Sequence, residues 1–596
     1  MIKKLYWDKD SKAIIWIIAL FVLVFILTYS RWGLIIIDCF REFVISRQML
    51  DGKILYKDIH YVYGPFVPYF QTFLLGIFGY KLSVIYFSNG IITLLYSLII
   101  FFIARQLLDI NKSLYSVFSF WAICAFVPGL KSYLFPYTAS ASFGSFFAIL
   151  TFTSLLCYLT RQKESFLYFA AILGGLTFIT KHESALAILL TWITTIILSK
   201  YFNKSLLKSF VFPSLVLILI PFSCYFYLNI AIGFKYFKHI LMPFDMLKSL
   251  GYFHSNFMKA GVSIESIANG GLWFLLFALA SVIIILLSYQ YLKYKEKNAK
   301  KTFYIILLLT ILPGLTILYH PEITEYIGLF MVDKSLKFFT GINFIIILTA
   351  IYAIKNINKN PTNKILLFIS LYSIFASART PFYMWLGGFS GFYIPTGIII
   401  ITYLYNNILP NLVNNKLDQN KLSISINMFL AALLMFYILL DTGKYVRKNY
   451  VIKDSHIGKI TVENSLGPAF NHAIDFIKEN TSEDDFIFVV PEEISYYALC
   501  NRKIPAKYPS LNPGFFLHNN KRIDKLISSL NNNKPELVLV SNLPLEEYGK
   551  NTFNKSVLKL IQPWINDNYI KAKTFKSTFP IDTDKYYEIN IYKSSN

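Results

Sequence analysis

Two acidic residues and an arginine follow the first apolar segment of the chain within five positions. Asp38, Arg41 and Glu42 are spaced by three and four residues. Such positions share one face of an α-helix, so the two carboxylates and the guanidinium are expected to point together at the membrane surface. Ionisable groups near lipid are costly and often functional, but a solvated interfacial ion pair is also an open interpretation.

Two further polar groups interrupt apolar stretches later in the chain. Lys181, His182 and Glu183 separate two apolar runs, and Arg379 and Tyr383 belong to one short turn. Each group also has a structural interpretation, as a charged pair that ends a helix or as anchors at the membrane interface. A carboxylate and several cations on one side of a membrane suit a general base facing a phosphate-bearing lipid.

Apolar segments must position these groups. Hydrophobic residues make up 55% of the 596 residues and charged residues only 15%. About 20 apolar residues span the hydrocarbon core of a bilayer, and runs of that order recur up to about residue 441. The predicted spans are 13–30, 82–104, 113–128, 138–159, 166–180, 184–199, 210–230, 271–291, 303–319, 339–355, 364–378, 389–407 and 425–441.

The distribution of basic residues predicts the orientation of the chain. Loops rich in Lys and Arg alternate with loops that contain few, and basic loops remain in the cytoplasm. The N-terminus is therefore expected in the cytoplasm and the tail from residue 442 outside it. The net charge of +23 lies largely in these basic loops, which disfavours nucleic acid as a partner and leaves membrane lipid open.

Two other regions have their own patterns. In the first exoplasmic loop, 31–81, an interfacial helix is predicted from Gly33 to Leu50. A second helix, Phe66 to Phe78, is entered through Tyr63-Gly64-Pro65. In the tail, a helical stripe of Phe470, Ala473, Ile474 and Ile477 is followed by predicted strands at 485–490, 536–540 and 586–592. This alternation predicts a small α/β domain. The expected domains are therefore a membrane domain, 1–441, and an exoplasmic α/β domain, 442–596.

These segments resemble the GT-C superfamily of integral-membrane glycosyltransferases, in the branch of protein O-mannosyltransferases and lipid A aminoarabinose transferases. The matching motifs are Asp38-Cys-Phe-Arg41-Glu42, Arg47-Gln-Met-Leu-Asp-Gly52, Tyr56-Lys-Asp58, Tyr63-Gly-Pro-Phe-Val-Pro-Tyr69 and Thr180-Lys-His-Glu183. The chain departs from that branch in the loop 129–137, which has no acid where many relatives carry a second carboxylate.

The resemblance implies a polytopic helical fold that transfers a sugar, with inversion, from a polyprenyl-phosphate-linked donor to an exoplasmic acceptor hydroxyl. It implies Asp38 as the general base, a bacterial plasma membrane location and cations that stabilise the leaving phosphate. A divalent metal ion is left open as a cofactor. The implied catalytic residues are Asp38, Arg41 and Glu42. The implied substrate-binding residues are Lys181, His182, Glu183, Arg379, Tyr383 and Tyr63.

Two other functions stay open at this point. The chain could transport or flip a lipid-linked sugar, although a transporter is expected to carry charges at the membrane midplane and matched halves. It could also be a non-catalytic scaffold of envelope glycan assembly, an interpretation that the missing second acid favours.

Overall fold

The apolar runs of the sequence form helices in the computed structural model of the protein. The structure describes residues 7–129, 132–199, 207–233, 264–294, 341–378, 390–412, 418–453, 455–511, 516, 520–543, 557–582 and 585–595. The helices before the first strand are α1 Trp7–Thr28, α2 Arg41–Leu50, α3 Phe66–Phe78, α4 Leu82–Leu107, α5 Ile110–Phe120, α6 Ala139–Arg161, α7 Ser165–Phe178, α8 His182–Ser199, α9 Leu207–Ile232, α10 Ile264–Tyr294, α11 Ile342–Lys355, α12 Pro361–Ala376, α13 Pro395–Tyr403, α14 Leu409–Leu412 and α15 Gln419–Arg447.

Six helices in the described ranges are long and apolar enough to cross a membrane. They are Asp10–Thr28, Leu82–Leu107, Ala139–Arg161, His182–Ser199, Ser209–Ile232 and Gln419–Arg447. Shorter apolar helices accompany them, including α7, α11 and α12. Helices of this length and composition make the chain an integral membrane protein. The predicted span 303–319 lies outside the described residues.

Side-chain caps and internal hydroxyl bonds explain how these helices begin and how they tolerate polar residues. Asp109, Asn360 and Asp418 cap α5, α12 and α15 by accepting from a backbone N–H of the first turn. Inside α6 and α7, Thr151 and Thr177 each donate to the carbonyl four residues earlier. Their buried hydroxyls are therefore satisfied without water.

The first loop contains two short helices, and the first of them begins later than predicted. Residues Asp38–Phe40 form a 3₁₀ turn and α2 starts at Arg41. Gly33 has a φ of +72° and Ile37 is extended, with a φ of −133°. The helix predicted from Gly33 is therefore wrong in its first turns, because this backbone is not helical. The bounds of α3 agree with the predicted helix.

The region after α15 is a mixed α/β structure. It contains β1 Lys448–Val451, β2 Thr461–Glu463, α16 Gly467–Asn480, β3 Ile487–Val490, α17 Ser495–Cys500, α18 Asn520–Asn532, β4 Leu537–Ser541, α19 Lys559–Asn568, β5 Tyr569–Asp582 and β6 Lys585–Ser594. β1 and β2 form an antiparallel pair. A second sheet has the order β3-β4-β6-β5, in which only β3 and β4 run parallel.

The two faces of the larger sheet belong to different hydrophobic cores. One face packs into the same core as the membrane helices, through Ile487, Val489, Leu537 and Leu539. The other face packs with α18 and α19, through Phe488, Val490, Val538 and Val540. Because side chains alternate along a strand, this sheet joins the C-terminal region to the helical part by a continuous apolar contact.

Candidate active site

Asp38 and Arg41 form an ion pair just after α1. Their side chains are only 11% and 12% exposed, so the pair is not the solvated surface pair that was the alternative interpretation. The paired oxygen is Oδ2. The other oxygen, Oδ1, is buried and accepts no hydrogen bond from any residue that the structure describes. Asp38 therefore has one buried carboxylate oxygen that no donor among the described residues satisfies.

The Arg41 guanidinium lies among acidic and aromatic groups. Burial lowers its pKa, but nearby groups, among them Tyr63, Glu42 and Glu492, outweigh burial and the pKa is raised overall. The guanidinium also lies 6.0 Å from the centre of the Tyr63 ring. Arg41 is therefore a fixed positive charge next to Asp38.

Glu42 contacts a different set of partners from Asp38. Its Oε1 accepts from the Tyr61 hydroxyl at 3.0 Å and from the Thr138 hydroxyl. Tyr61 in turn lies 2.7 Å from the hydroxyl of Ser140 on α6. The predicted clustering is therefore confirmed for Asp38 and Arg41, which are paired across one turn, but Glu42 bonds towards α6 and does not share their contact.

Lys181 is buried between tyrosine rings at the turn between α7 and α8. It is 2% exposed, and its Nζ donates to the Tyr137 hydroxyl at 3.0 Å. The same nitrogen lies 4.2 Å from the centre of the Tyr63 ring and 3.7 Å from Oε2 of Glu183. Cation–π contacts are strongest when desolvated, which helps to offset the cost of burying this charge. Burial also raises the pKa of Tyr63, which keeps its phenol neutral.

Two glycines permit the first loop and α6 to approach the Lys181 turn. A Cβ on Gly64 would lie 2.1 Å from the carbonyl oxygen of Ile179, and a Cβ on Gly144 would lie 2.6 Å from Cβ of Lys181. Gly64 N–H donates to the Thr180 carbonyl at 3.2 Å. This close docking brings Tyr63 into contact with Lys181.

The other residues of the Lys181 turn point towards other elements. Glu183, 41% exposed in its side chain, accepts from the hydroxyl of Tyr393. Nε2 of His182 lies 3.4 Å from the Tyr225 hydroxyl on α9. His182 therefore contacts α9, whereas Lys181 and Glu183 bond tyrosines in other segments.

The structure brings two of the predicted groups together through one side chain. Tyr63 contacts both Arg41 and Lys181, and so joins the Asp38 cluster to the turn before α8. The predicted site residues Arg379 and Tyr383 lie outside the described residues. Their membership of the site stays a prediction.

Several polar partners were not identified from the sequence. Tyr61, Thr138 and Ser140 surround Glu42, and Tyr137 bonds Lys181. The alternation Tyr61-Val-Tyr63 and the run Tyr137-Thr-Ala-Ser140 were available signals. The loop 129–137 has no acid, and hydroxyl groups from its last residue, Tyr137, and from Thr138 and Ser140 contact this cluster instead.

A divalent cation would need several clustered oxygen or nitrogen ligands. Within the part of the chain that the structure describes, no three His, Cys, Asp or Glu side chains gather into such a group. Asp38 Oδ1 is one available ligand atom, but the described residues around it do not complete a metal site.

Part of the chain matches a known family. Residues 63–227 match the profile described as "Dolichyl-phosphate-mannose-protein mannosyltransferase". This segment begins at Tyr63 and includes the Lys181 turn, but it covers well under half of the chain. No curated protein matches the chain significantly.

Several solved structures are similar to this chain over most of its length. ArnT from Cupriavidus metallidurans in the apo state has a TM-score of 0.51 at 10% identity, with 98% of both chains covered. The same protein bound to undecaprenyl phosphate has a TM-score of 0.50 at 11% identity, with 97% of both chains covered. An Archaeoglobus fulgidus oligosaccharyltransferase in complex with Zn and sulfate has a TM-score of 0.46 at 12% identity, covering 89% of this chain and 68% of that one.

These matches confirm the resemblance to GT-C glycosyltransferases. At this level of identity the structural likeness establishes the fold alone, and the profile match is limited to residues 63–227, from α3 into α9.

Proposed function

We propose that the chain transfers a hexose or pentose from a polyprenyl-phosphate-linked donor to a hydroxyl of a lipid, glycan or protein acceptor outside the cytoplasm. The observation that carries this proposal is the buried Oδ1 of Asp38 beside Arg41. The GT-C fold and the ArnT structure with undecaprenyl phosphate support a lipid-phosphate donor.

The reaction would proceed as an inverting displacement. The acceptor hydroxyl gives its proton to Asp38 Oδ1 while its oxygen bonds to the anomeric carbon, opposite the phosphate. The bond from that carbon to the phosphate oxygen breaks, and its electron pair leaves with the polyprenyl phosphate. A carboxylate oxygen accepts a proton when it is ionised, so Asp38 can take this proton, and Arg41 holds the carboxylate in place through the ion pair. Glu42, bonded to Tyr61 and Thr138, would hold the loop against α6.

The leaving phosphate needs positive charge. The Lys181 ammonium contacts Tyr137 and Tyr63. Its distance of 3.7 Å from the Glu183 carboxylate is longer than a hydrogen bond. A preorganised cation of this kind contributes a few kcal/mol to a transition state, of the order of 2.7–4 kcal/mol. Arg379 is proposed as a second cation, and the remaining predicted substrate-binding residues are His182, Glu183, Tyr63 and Tyr383.

The proposed setting is a bacterial plasma membrane. We assign thirteen spans, a cytoplasmic N-terminus and an exoplasmic C-terminal region, with domains at 1–441 and 442–596. α15 continues beyond residue 441 to Arg447. No step above depends on a divalent ion, and the described residues form no metal site.

Comparison of envelope glycans tests the function directly. Mass spectrometry of glycans, glycolipids and glycoproteins from cells with and without this chain should show one sugar modification that disappears on deletion. The wild-type chain should restore it. If the chain instead flips a lipid-linked sugar, the donor should accumulate in deletion cells on the cytoplasmic side, and purified chain in vesicles should move it without transfer. That result would contradict the proposal.

A further inference from the structure

A short helix of the C-terminal region lies directly on the candidate active site. α17, Ser495–Cys500, is buried along its whole length. It packs against the 3₁₀ turn that carries Asp38 and also against α2. The C-terminal region therefore touches the segment that holds the proposed base, and not only the outer surface of the membrane domain.

The backbone that leads into Asp38 depends on contacts from the C-terminal region. Residues 31–37 contain no helix or strand. The Ser495 hydroxyl donates to the Ile35 carbonyl at 2.6 Å, and the buried Lys448 ammonium donates to the Gly33 carbonyl. A segment without regular backbone hydrogen bonds opens easily, so these two bonds hold much of the approach to the turn.

The same region also contributes a buried carboxylate ahead of α17. Glu492 is 2% exposed and follows β3 by two residues. Its charge helps to raise the pKa of Arg41. Glu492 is thus a buried acid just ahead of α17, the helix that packs against α2, and α2 begins at Arg41.

We propose that Ser495 and Glu492 are positioning residues of the active site: Ser495 fixes the backbone before Asp38, and Glu492 fixes Arg41 beside it. The inference rests on the proposed function where it treats Asp38 as the reacting group. In that case the C-terminal region is part of the catalytic machinery and not a separate cap.

Hydrogen exchange of the full-length chain tests the positioning independently of any activity. Ser495→Ala should speed exchange in residues 34–42 about 3- to 10-fold, which corresponds to one lost hydrogen bond. Exchange in α16 should stay as in the wild type. Ser528→Ala, an exposed serine on α18, is the matched control and should leave residues 34–42 unchanged.

Turnover and binding separate positioning from a merely structural role. Ser495→Ala and Glu492→Gln should each transfer sugar about 10- to 100-fold more slowly per amount of protein, because the reacting group is misplaced. Their Kd for undecaprenyl phosphate should stay within about twofold of the wild type, since Lys181 is untouched. Glu479→Gln, an exposed acid on α16, should change neither quantity.

The outcomes are distinct. Unchanged exchange in residues 34–42 and unchanged turnover in both variants would overturn the positioning role. If Ser495→Ala also speeds exchange in α16, this variant has unfolded the C-terminal region, and the turnover of Glu492→Gln decides whether the positioning role stands. If the wild-type chain transfers no sugar, the proposed function fails, and the exchange experiment still decides whether Ser495 fixes the Asp38 backbone.

Discussion

Gly64 is the position where a single added carbon should do most harm to the candidate site. In Gly64→Ala the new Cβ would lie 2.1 Å from the carbonyl oxygen of Ile179 and 2.7 Å from the nitrogen of Thr180. These are backbone atoms, so no side-chain rotation relieves the contact. The first loop must therefore move away from the turn between α7 and α8.

The cost follows from the contacts that this movement breaks. The loop docks through two backbone bonds, from Gly64 N–H to the Thr180 carbonyl at 3.2 Å and from Phe66 N–H to the Ile179 carbonyl at 3.0 Å. Each contributes about 0.5–1.5 kcal/mol net. Losing both bonds therefore costs about 1–3 kcal/mol. Amide exchange in the docked loop should then be about 5- to 150-fold faster.

Hydrogen exchange of residues 63–66 in the detergent-purified chain measures this effect. Gly76→Ala is the matched control: it lies inside α3, and its added Cβ would meet only a Leu50 side-chain carbon at 3.5 Å. Because alanine is favoured over glycine in a helix by up to about 1 kcal/mol, exchange in Gly76→Ala should be unchanged or slower. Wild-type exchange in Gly64→Ala would refute the close docking that brings Tyr63 to Lys181.

Three further predictions concern charge. Lys181→Met should weaken undecaprenyl phosphate binding about 10- to 100-fold in a fluorescence titration, the cost of one charge-assisted hydrogen bond; an unchanged Kd would move the phosphate site elsewhere. Burial raises the pKa of Glu493 from the ordinary 4.5 to about 7, so the folded chain binds this proton more tightly than the unfolded chain does. The stability that this proton adds is complete below pH 4.5 and is lost as the pH rises through 7. Glu493→Gln should remove this pH dependence, worth about 3 kcal/mol, from unfolding curves, and Glu479→Gln should keep it. Reporter fusions at Lys300 and Lys550 should give cytoplasmic and exoplasmic signals respectively, and a cytoplasmic signal at Lys550 would contradict the thirteen-span topology.

Strong local patterns made part of the fold predictable. The apolar stripe Phe470, Ala473, Ile474 and Ile477 lies buried on α16, and the predicted strands at 485–490 and 536–540 agree with β3 and β4. In these segments the spacing of apolar residues matches the face that the element buries. The edge strand β5 was not predicted. Residues 570–574 are all exposed, so the alternation of Ile570 and Ala572 with two lysines buries no face.

The candidate site was predicted in its residue types but not in its geometry. The spacing of Asp38, Arg41 and Glu42 suggested one helix face, whereas the positive φ of Gly33 and the extended Ile37 place Asp38 ahead of α2. Helix periodicity does not report such a break.

Contacts between distant segments were also invisible to local patterns. The approach of Tyr63 to Lys181 requires the Gly64 backbone to dock on Ile179, and Ser495 reaches Ile35 across 460 residues. Such contacts depend on how the helices and the C-terminal region pack, which single-sequence spacing does not specify.

The most direct test of the account is the transfer activity of Asp38→Asn in deletion cells. Base catalysis contributes about 100- to 10,000-fold, so the sugar modification found by mass spectrometry should fall by at least that lower factor per amount of membrane-inserted protein. Asp51→Asn removes a half-exposed carboxylate in the same loop and should restore the modification fully. Because breaking a buried ion pair costs about 3–5 kcal/mol, each variant is compared at equal amounts of folded protein. If Asp38→Asn keeps more than about a tenth of wild-type transfer, the loss is less than tenfold and is smaller than the loss of a general base normally causes. Asp38 is then not the general base, and the central claim is wrong.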